Sequence, residues 1–176
     1  MRRTTLALAV ALAALPGFAR AAEPPCLTAA EFTSLASYGL PSIIKGATER
    51  CAATLPAGAW LKQNGTQLSV RYAAAKPRAW PSAKLAFLKL GGSGGKDAVD
   101  AFKSLPDATM QLMVDGLIEG MIGQQLPTDR CATVDRVVRL MAPLPPENTA
   151  ELIALAAGLG ARSGQAKTGK FSLCPA

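Results

Sequence analysis

Ser93 is the residue most easily imagined as a nucleophile. It stands in Gly91-Gly92-Ser93-Gly94-Gly95, which has the G-x-S-x-G form of a nucleophile elbow, follows an apolar run and precedes a helical pattern. A serine in that setting needs a histidine to take its proton, and the sequence contains none. The same absence removes Cys-His pairs, histidine metal ligation and histidine proton shuttles. Asp115 and Glu119 lie one helical turn apart, the arrangement of a general acid and base, but two carboxylates on one helix stripe are expected to be a solvated face. The glycines before Lys96 do not make a phosphate loop, because Leu90 stands where glycine is required and Asp97 where serine or threonine is required.

One histidine-free chemistry remains in outline. Ser93 and Lys96 match S-x-x-K, and Lys167-Thr168-Gly169 matches K-T-G, forms used by penicillin-binding proteins and β-lactamases. The S-D-N element is missing, and the 74 positions from Ser93 to Lys167 leave too little chain for that fold. A Ser93/Lys96 acyl-enzyme hydrolase is therefore a minor alternative, and a turn between helices is the expectation. No catalytic set or cofactor motif is complete, so neither enzyme activity nor a cofactor is expected.

Cys26, Cys51, Cys131 and Cys174 make an even set. They contain no C-x-x-C spacing and have no histidine to join them, so zinc is not expected. They predict two disulfides, and four cysteines allow three pairings. Local closure favours Cys26–Cys51 and Cys131–Cys174. Eight basic residues (Lys62, Arg71, Lys76, Arg78, Lys84, Lys89, Lys96 and Lys103) face only Asp97 and Asp100 in the same stretch, with Trp60, Tyr72 and Trp80 interleaved. This segment is a candidate surface for an anionic partner, or simply a solubilising face.

The elements that must carry these residues read as helices. Thr28 with Glu31 forms a capping box. Gly39 is expected to interrupt the first helix and Pro41 to open the second, which carries Ile43, Ile44, Ala47 and Cys51. A third helix is expected from Pro56, burying Trp60 and Leu61 and stopping at Asn64-Gly65. The stretch from Thr66 to Ala75 mixes strand alternation with helix-favouring alanines and is assigned as helix. Pro77 and Pro81 are expected to hold Trp80 in a rigid turn. After Asp107, the residues Met110, Met113, Val114, Leu117, Ile118, Met121 and Ile122 keep helical spacing, with Asp115 and Glu119 off that stripe. Gly116 and Gly120 share another face, open to close approach by a neighbouring helix. Further helices are expected to bury Cys131, Val134, Val137, Val138 and Met141, and then, past a capping pair at Asn148 and Glu151, Leu152, Ile153, Ala156 and Leu159. The prediction is an all-α bundle of six to eight short helices stapled by two disulfides.

The N-terminus reads as a signal peptide over residues 1–21. Arg2 and Arg3 precede the apolar run from Leu6 to Leu15, and Ala19-Arg20-Ala21 suits cleavage before Ala22. The run is too short to span a bilayer as a helix. Residues 22–176 form one domain, with residues 161–176 a polar tail pinned by Cys174. Without Arg2, Arg3 and Arg20, the 19 basic side chains become 16 against 12 acidic ones, so the formal charge falls from +7 to +4. Cysteine usage and the leader predict a periplasmic or secreted protein. Export argues against a nucleic-acid partner, and no transmembrane anchor is expected after cleavage.

Gly116-Leu117-Ile118-Glu119-Gly120, Cys131 and the stretch from Pro145 to Ala156 resemble the small exported immunity proteins that neutralise type VI secretion amidases. Those are helical, disulfide-bonded and periplasmic; Cys26 and Cys51 have no counterpart in them. The function expected is non-enzymatic binding of another protein or an envelope component. The alternative is a carrier of an apolar ligand or lipid, suggested by the methionine-rich helix and a composition that is 49% hydrophobic.

Overall fold

The computed structural model describes residues 26–91, 96–162 and 172–174. The expected leader, Ser93 and the Lys167-Thr168-Gly169 stretch lie outside these residues, as does the Lys96 side chain. Among the described residues there are seven α-helices: α1 (Ala29–Cys51), α2 (Trp60–Ala73), α3 (Lys76–Gly91), α4 (Lys96–Lys103), α5 (Asp107–Gln125), α6 (Cys131–Met141) and α7 (Pro146–Arg162). Two minimal strands, β1 (Cys26–Leu27) and β2 (Ser172–Leu173), pair in parallel. The all-α bundle with two disulfides is as the sequence predicts.

α1 starts where the capping box places it. The Glu31 amide donates to the Thr28 hydroxyl at 3.2 Å, and the Thr28 amide donates to Glu31 Oε2 at 2.7 Å. It then runs through both expected breaks. Gly39 and Pro41 lie inside one 23-residue helix rather than between two. An internal proline removes a helix hydrogen bond and costs about 3 kcal/mol. Tertiary burial offsets it, for Ser37 to Ser42 are all buried, which places α1 among neighbours on every side. α2, α3, α5 and α7 all pack against it.

Two glycines set how close those neighbours come. A Cβ on Gly46 would lie 3.0 Å from the Glu119 carbonyl oxygen and 3.2 Å from Ile122 Cβ, so the α1–α5 crossing has no room for a side chain there. A Cβ on Gly65 would fall 2.2 Å from Thr48 Oγ1. Gly65 is thus a contact point of α1 with α2, not the helix terminator expected, and α2 continues through residues 66–73 as the helix assignment required. Pro77 and Pro81 are also helical, near the start and in the middle of α3, so Trp80 is a buried helix residue and not the tip of a turn.

One buried cluster joins Leu40, Ile44, Ala47 and Cys51 of α1 to Leu61, Leu68, Tyr72, Cys131 and Val138. The other gathers Tyr38, Trp80, Met110 and Val114. Tyr72 ties the first cluster to the α6–α7 turn, its hydroxyl lying within 3.1 Å of the Met141 and Leu144 carbonyl oxygens and of the Thr149 hydroxyl. α2 lacks a capping side chain of its own, and Asp135 of α6 accepts from the Leu61 amide at 2.6 Å instead.

The disulfides correct the local pairing. Cys26 is bonded to Cys174 and Cys51 to Cys131, across 148 and 80 residues. The first joins the two ends of the described chain, where the Cys174 amide also donates to the Leu27 carbonyl at 2.8 Å. The second links the last residue of α1 to the first of α6, so Cys131 pins the body of the bundle and not the tail. On the chain-entropy model, loops this long stabilise by roughly 4–5 kcal/mol each. Cys51 and Cys131 are fully buried, whereas Cys26 and Cys174 are partly exposed.

Non-reducing peptide mapping should therefore recover Cys26–Cys174 and Cys51–Cys131 peptides. A mild reductant under native conditions should open Cys26–Cys174 first and leave Cys51–Cys131 closed until the helices unfold. Concurrent loss of both bonds in a folded sample would contradict the burial difference.

The start of α1 should also respond to acid. Lys89 Nζ lies 2.9 Å from Glu31 Oε2 and, together with the Thr28 amide, holds the Glu31 carboxyl below its ordinary value of 4.5. A carboxyl depressed on folding contributes stability above its unfolded value, and that contribution is lost as pH falls through the folded value. Denaturation midpoints should decline on acidification below about 4.5. Glu31→Gln should lower the midpoint at neutral pH and flatten that part of the profile; an unchanged acid slope would remove Glu31 from the account.

Candidate functional site

The bundle puts most cations of the basic middle segment to internal use. Lys76 Nζ is 2.5 Å from Asp115, Lys84 Nζ 2.6 Å from Asp107, and Arg78 2.8 Å from Glu147. Lys89 holds Glu31, and Lys103 lies 3.6 Å from Asp100. Lys62 donates to the Ala52 and Leu55 carbonyls in the turn after α1, and Arg71 donates to the Ala142 carbonyl. The acids absent from the local sequence come from α1, α5 and α7. The exposed pairs, Arg78–Glu147 and Lys103–Asp100, contribute little individually, about 0–1 kcal/mol, while the part-buried Lys76–Asp115 pair ties α3 to α5.

A partly buried polar cluster joins α1, α3 and α5. Ser42 Oγ donates to Asp115 Oδ1 at 3.1 Å, Lys76 meets the other carboxylate oxygen, and Lys76 Nζ lies 4.6 Å from the Tyr38 ring centre. The Tyr38 hydroxyl donates to the Gln111 carbonyl at 3.3 Å. Burial, reinforced by the Asp115 charge, pushes the Tyr38 phenol above its ordinary value, so it remains a neutral donor. A serine, a lysine, a tyrosine and a carboxylate together have the residue types of a catalytic site. Here Tyr38 and Ser42 are buried, and each polar group already has a partner. The arrangement acts as a cross-brace.

Asp115 and Glu119 do not form the expected solvated stripe. Lys76 takes Asp115, and Lys45 takes Glu119 at 2.7 Å; both acids lie on the flank of α5 that faces α1 and α3. The buried arc of α5 is turned accordingly. Met110 and Val114 are buried and Ile118 and Ile122 partly so, but Met113, Leu117 and Met121 face outward beside Leu112, which is 74% exposed. Gly116 and Gly120 share this outward side, where an added Cβ would meet nothing within 4 Å. The neighbour expected at these glycines is not supplied by the described residues. The outcome is an uncharged, largely apolar face along most of a 19-residue helix.

α6 has a face that the sequence reading overlooked. Cys131, Val134, Asp135, Val138 and Met141 point toward the bundle, while Arg136, Val137, Arg139 and Leu140 point away. Val137, expected to be buried, is 45% exposed. A similar shift affects α7. Ala150 is buried and Ile153 partly so, whereas Leu152, Ala156 and Leu159, expected in the core, are exposed together with Leu155. Leu155 and Leu159 line an open cleft of about 370 Å³ between α7 and the start of α1, whose other walls include Ala29, Ala30 and Thr33.

Among the described residues no three His, Cys, Asp or Glu side chains group as metal ligands. No described helix is long and apolar enough to cross a membrane. No family model, curated protein or solved structure matches this chain.

Proposed function

We propose that this chain is an exported periplasmic or secreted protein that works by binding another protein or an envelope component, without catalysis. The observation that carries this reading is the outward face of α5. Leu112, Met113, Leu117 and Met121 are each between 43% and 74% exposed, on a helix whose Asp115 and Glu119 are turned toward α1 and α3 and paired there. A contiguous apolar face of this kind is a usual mark of an interaction site. Methionine and glycine suit it further, the one by adapting its shape and the other by admitting a close backbone. The two disulfides fit an oxidising compartment, and the leader-like N-terminus fits export. The resemblance of the Gly116–Gly120 region to exported immunity proteins makes a secreted amidase the first partner to test.

A photo-crosslinking residue at Leu112 should capture a reproducible protein, lipid or glycan in cells that export the chain. Met113→Glu combined with Leu117→Glu should abolish that capture while leaving helicity and thermal stability close to wild type, because both side chains are exposed. Capture that survives the double substitution would show that α5 is not the site.

The cleft between α1 and α7 supports a second reading, a carrier of an apolar ligand. Its lining is mostly apolar, and about 370 Å³ lies within the range of small-molecule sites. A carrier should retain a small molecule in native mass spectrometry of freshly purified protein, and Gly158→Leu should displace it. A single species at the mass of the bare chain would remove this reading.

A further inference from the structure

α6 differs from the rest of the bundle in the cations it carries. Lysines and arginines from Lys45 to Arg130 whose side chains are described each reach a carboxylate or a backbone carbonyl of the chain. Arg136 and Arg139 do neither among the described residues. The acid nearest in sequence, Asp135, is turned inward to cap α2 and is not available to them. They are one helical turn apart and share the outward arc of α6 with Val137, 45% exposed, and Leu140, 69% exposed. At about 100° per residue this arc places the guanidinium groups along one edge and the two aliphatic side chains along the other.

We infer that this arc is a docking surface for an acidic segment of another protein, one that presents carboxylates beside aliphatic side chains. Charge complementarity selects the sign: two unneutralised guanidinium groups on an already cationic chain favour carboxylates over any cationic or neutral partner. The side-chain types select a protein. Arginine is enriched in protein interfaces because its planar fork binds carboxylates in pairs, and adjacent Val137 and Leu140 supply the apolar centre that such contacts surround. An anionic membrane is less well matched, since α6 is only 11 residues long and offers two aliphatic anchors. This surface also differs from the middle segment predicted from sequence, whose described cations are already engaged. It lies on a different helix from the α5 face and stands or falls separately from it.

The test uses the full disulfide-bonded chain labelled for NMR and a synthetic amphipathic helical peptide with glutamates on one face and leucines on the other. Saturable shifts should centre on residues 132–140, and Arg136→Gln with Arg139→Gln should weaken binding by about tenfold or more. Replacing both arginines by lysine should restore binding only in part, because lysine keeps the charge and loses the fork. Val137→Ser with Leu140→Ser should weaken the same peptide while leaving the arginines in place. Shifts centred on residues 62–103, or a glutamine variant that binds as well as wild type, would overturn the inference. Vesicles rich in phosphatidylglycerol that bind wild type and lysine variant alike, and displace the peptide, would reassign the surface to lipid and overturn it too. Loss of peptide binding with α5 crosslinking intact would leave the two surfaces distinguished.

Discussion

Helix α1 can lie at the centre of this bundle only because its neighbours are able to approach its backbone. From Ser37 to Ser42 the helix is buried all round and has no solvent face, so each contact there must be made with small residues or a matched partner. Ser37, Gly39, Ser42, Gly46 and Ala47 meet the first condition, and Gly65 on α2 meets it from the opposite side. Where a side chain would otherwise separate two backbones, Gly46 lets α1 rest against the Glu119 turn of α5. Once that crossing is set, Lys45 falls beside Glu119 and Ser42 beside Asp115, and the ion pairs follow from the packing.

Burial of residues 37–42 also explains why Gly39 and Pro41 failed to break α1. Propensity penalties of a few kcal/mol are local, whereas splitting α1 at Gly39 or Pro41 would expose a central element along several interfaces at once. Ser69 of α2 even donates to the Pro41 carbonyl at 2.9 Å, so the region around the proline is a contact and not a gap. Pro81 differs in being exposed; α3 continues through it because Trp80, Ala83 and Ala86 on either side of it are buried on one face. In each case the local signal is real and a larger tertiary term wins.

The polar groups divide by role in the same way. Between α1, α3 and α5, Ser42, Asp115 and Lys76 satisfy one another and the Tyr38 hydroxyl is taken by the Gln111 carbonyl, as buried polar groups must be. Asp135 is spent on the start of α2. What the fold leaves unmatched is therefore informative: the uncharged side of α5 and the guanidinium-bearing side of α6. A surface whose groups are not needed for folding is where binding is best sought, because substitution there changes recognition without undoing the core.

Residue types alone determined a good deal. The absence of histidine excludes whole mechanisms, the even cysteine count with a leader-like N-terminus predicts two disulfides, and the capping box at Thr28 and Glu31 fixes the start of α1, because none of these depends on which helix meets which. The all-α class follows equally from helical spacing. What the sequence left open depends on which helix meets which. Pairing of Cys26 with Cys174 and Cys51 with Cys131 is set by distances between elements far apart in the chain, which local loop closure does not see. The hydrophobic stripe after Asp107 is wide enough to be buried at several rotations, and the close crossing at Gly46 selects the one that sets Asp115 beside Ser42 and Lys76 and Glu119 beside Lys45. That rotation sends Met113, Leu117 and Met121 to the surface. Whether a lysine is a free charge or a brace is likewise decided by the acid the fold brings to it, and only the tertiary arrangement distinguishes Lys76, held by Asp115, from Arg136, held by none of the described residues.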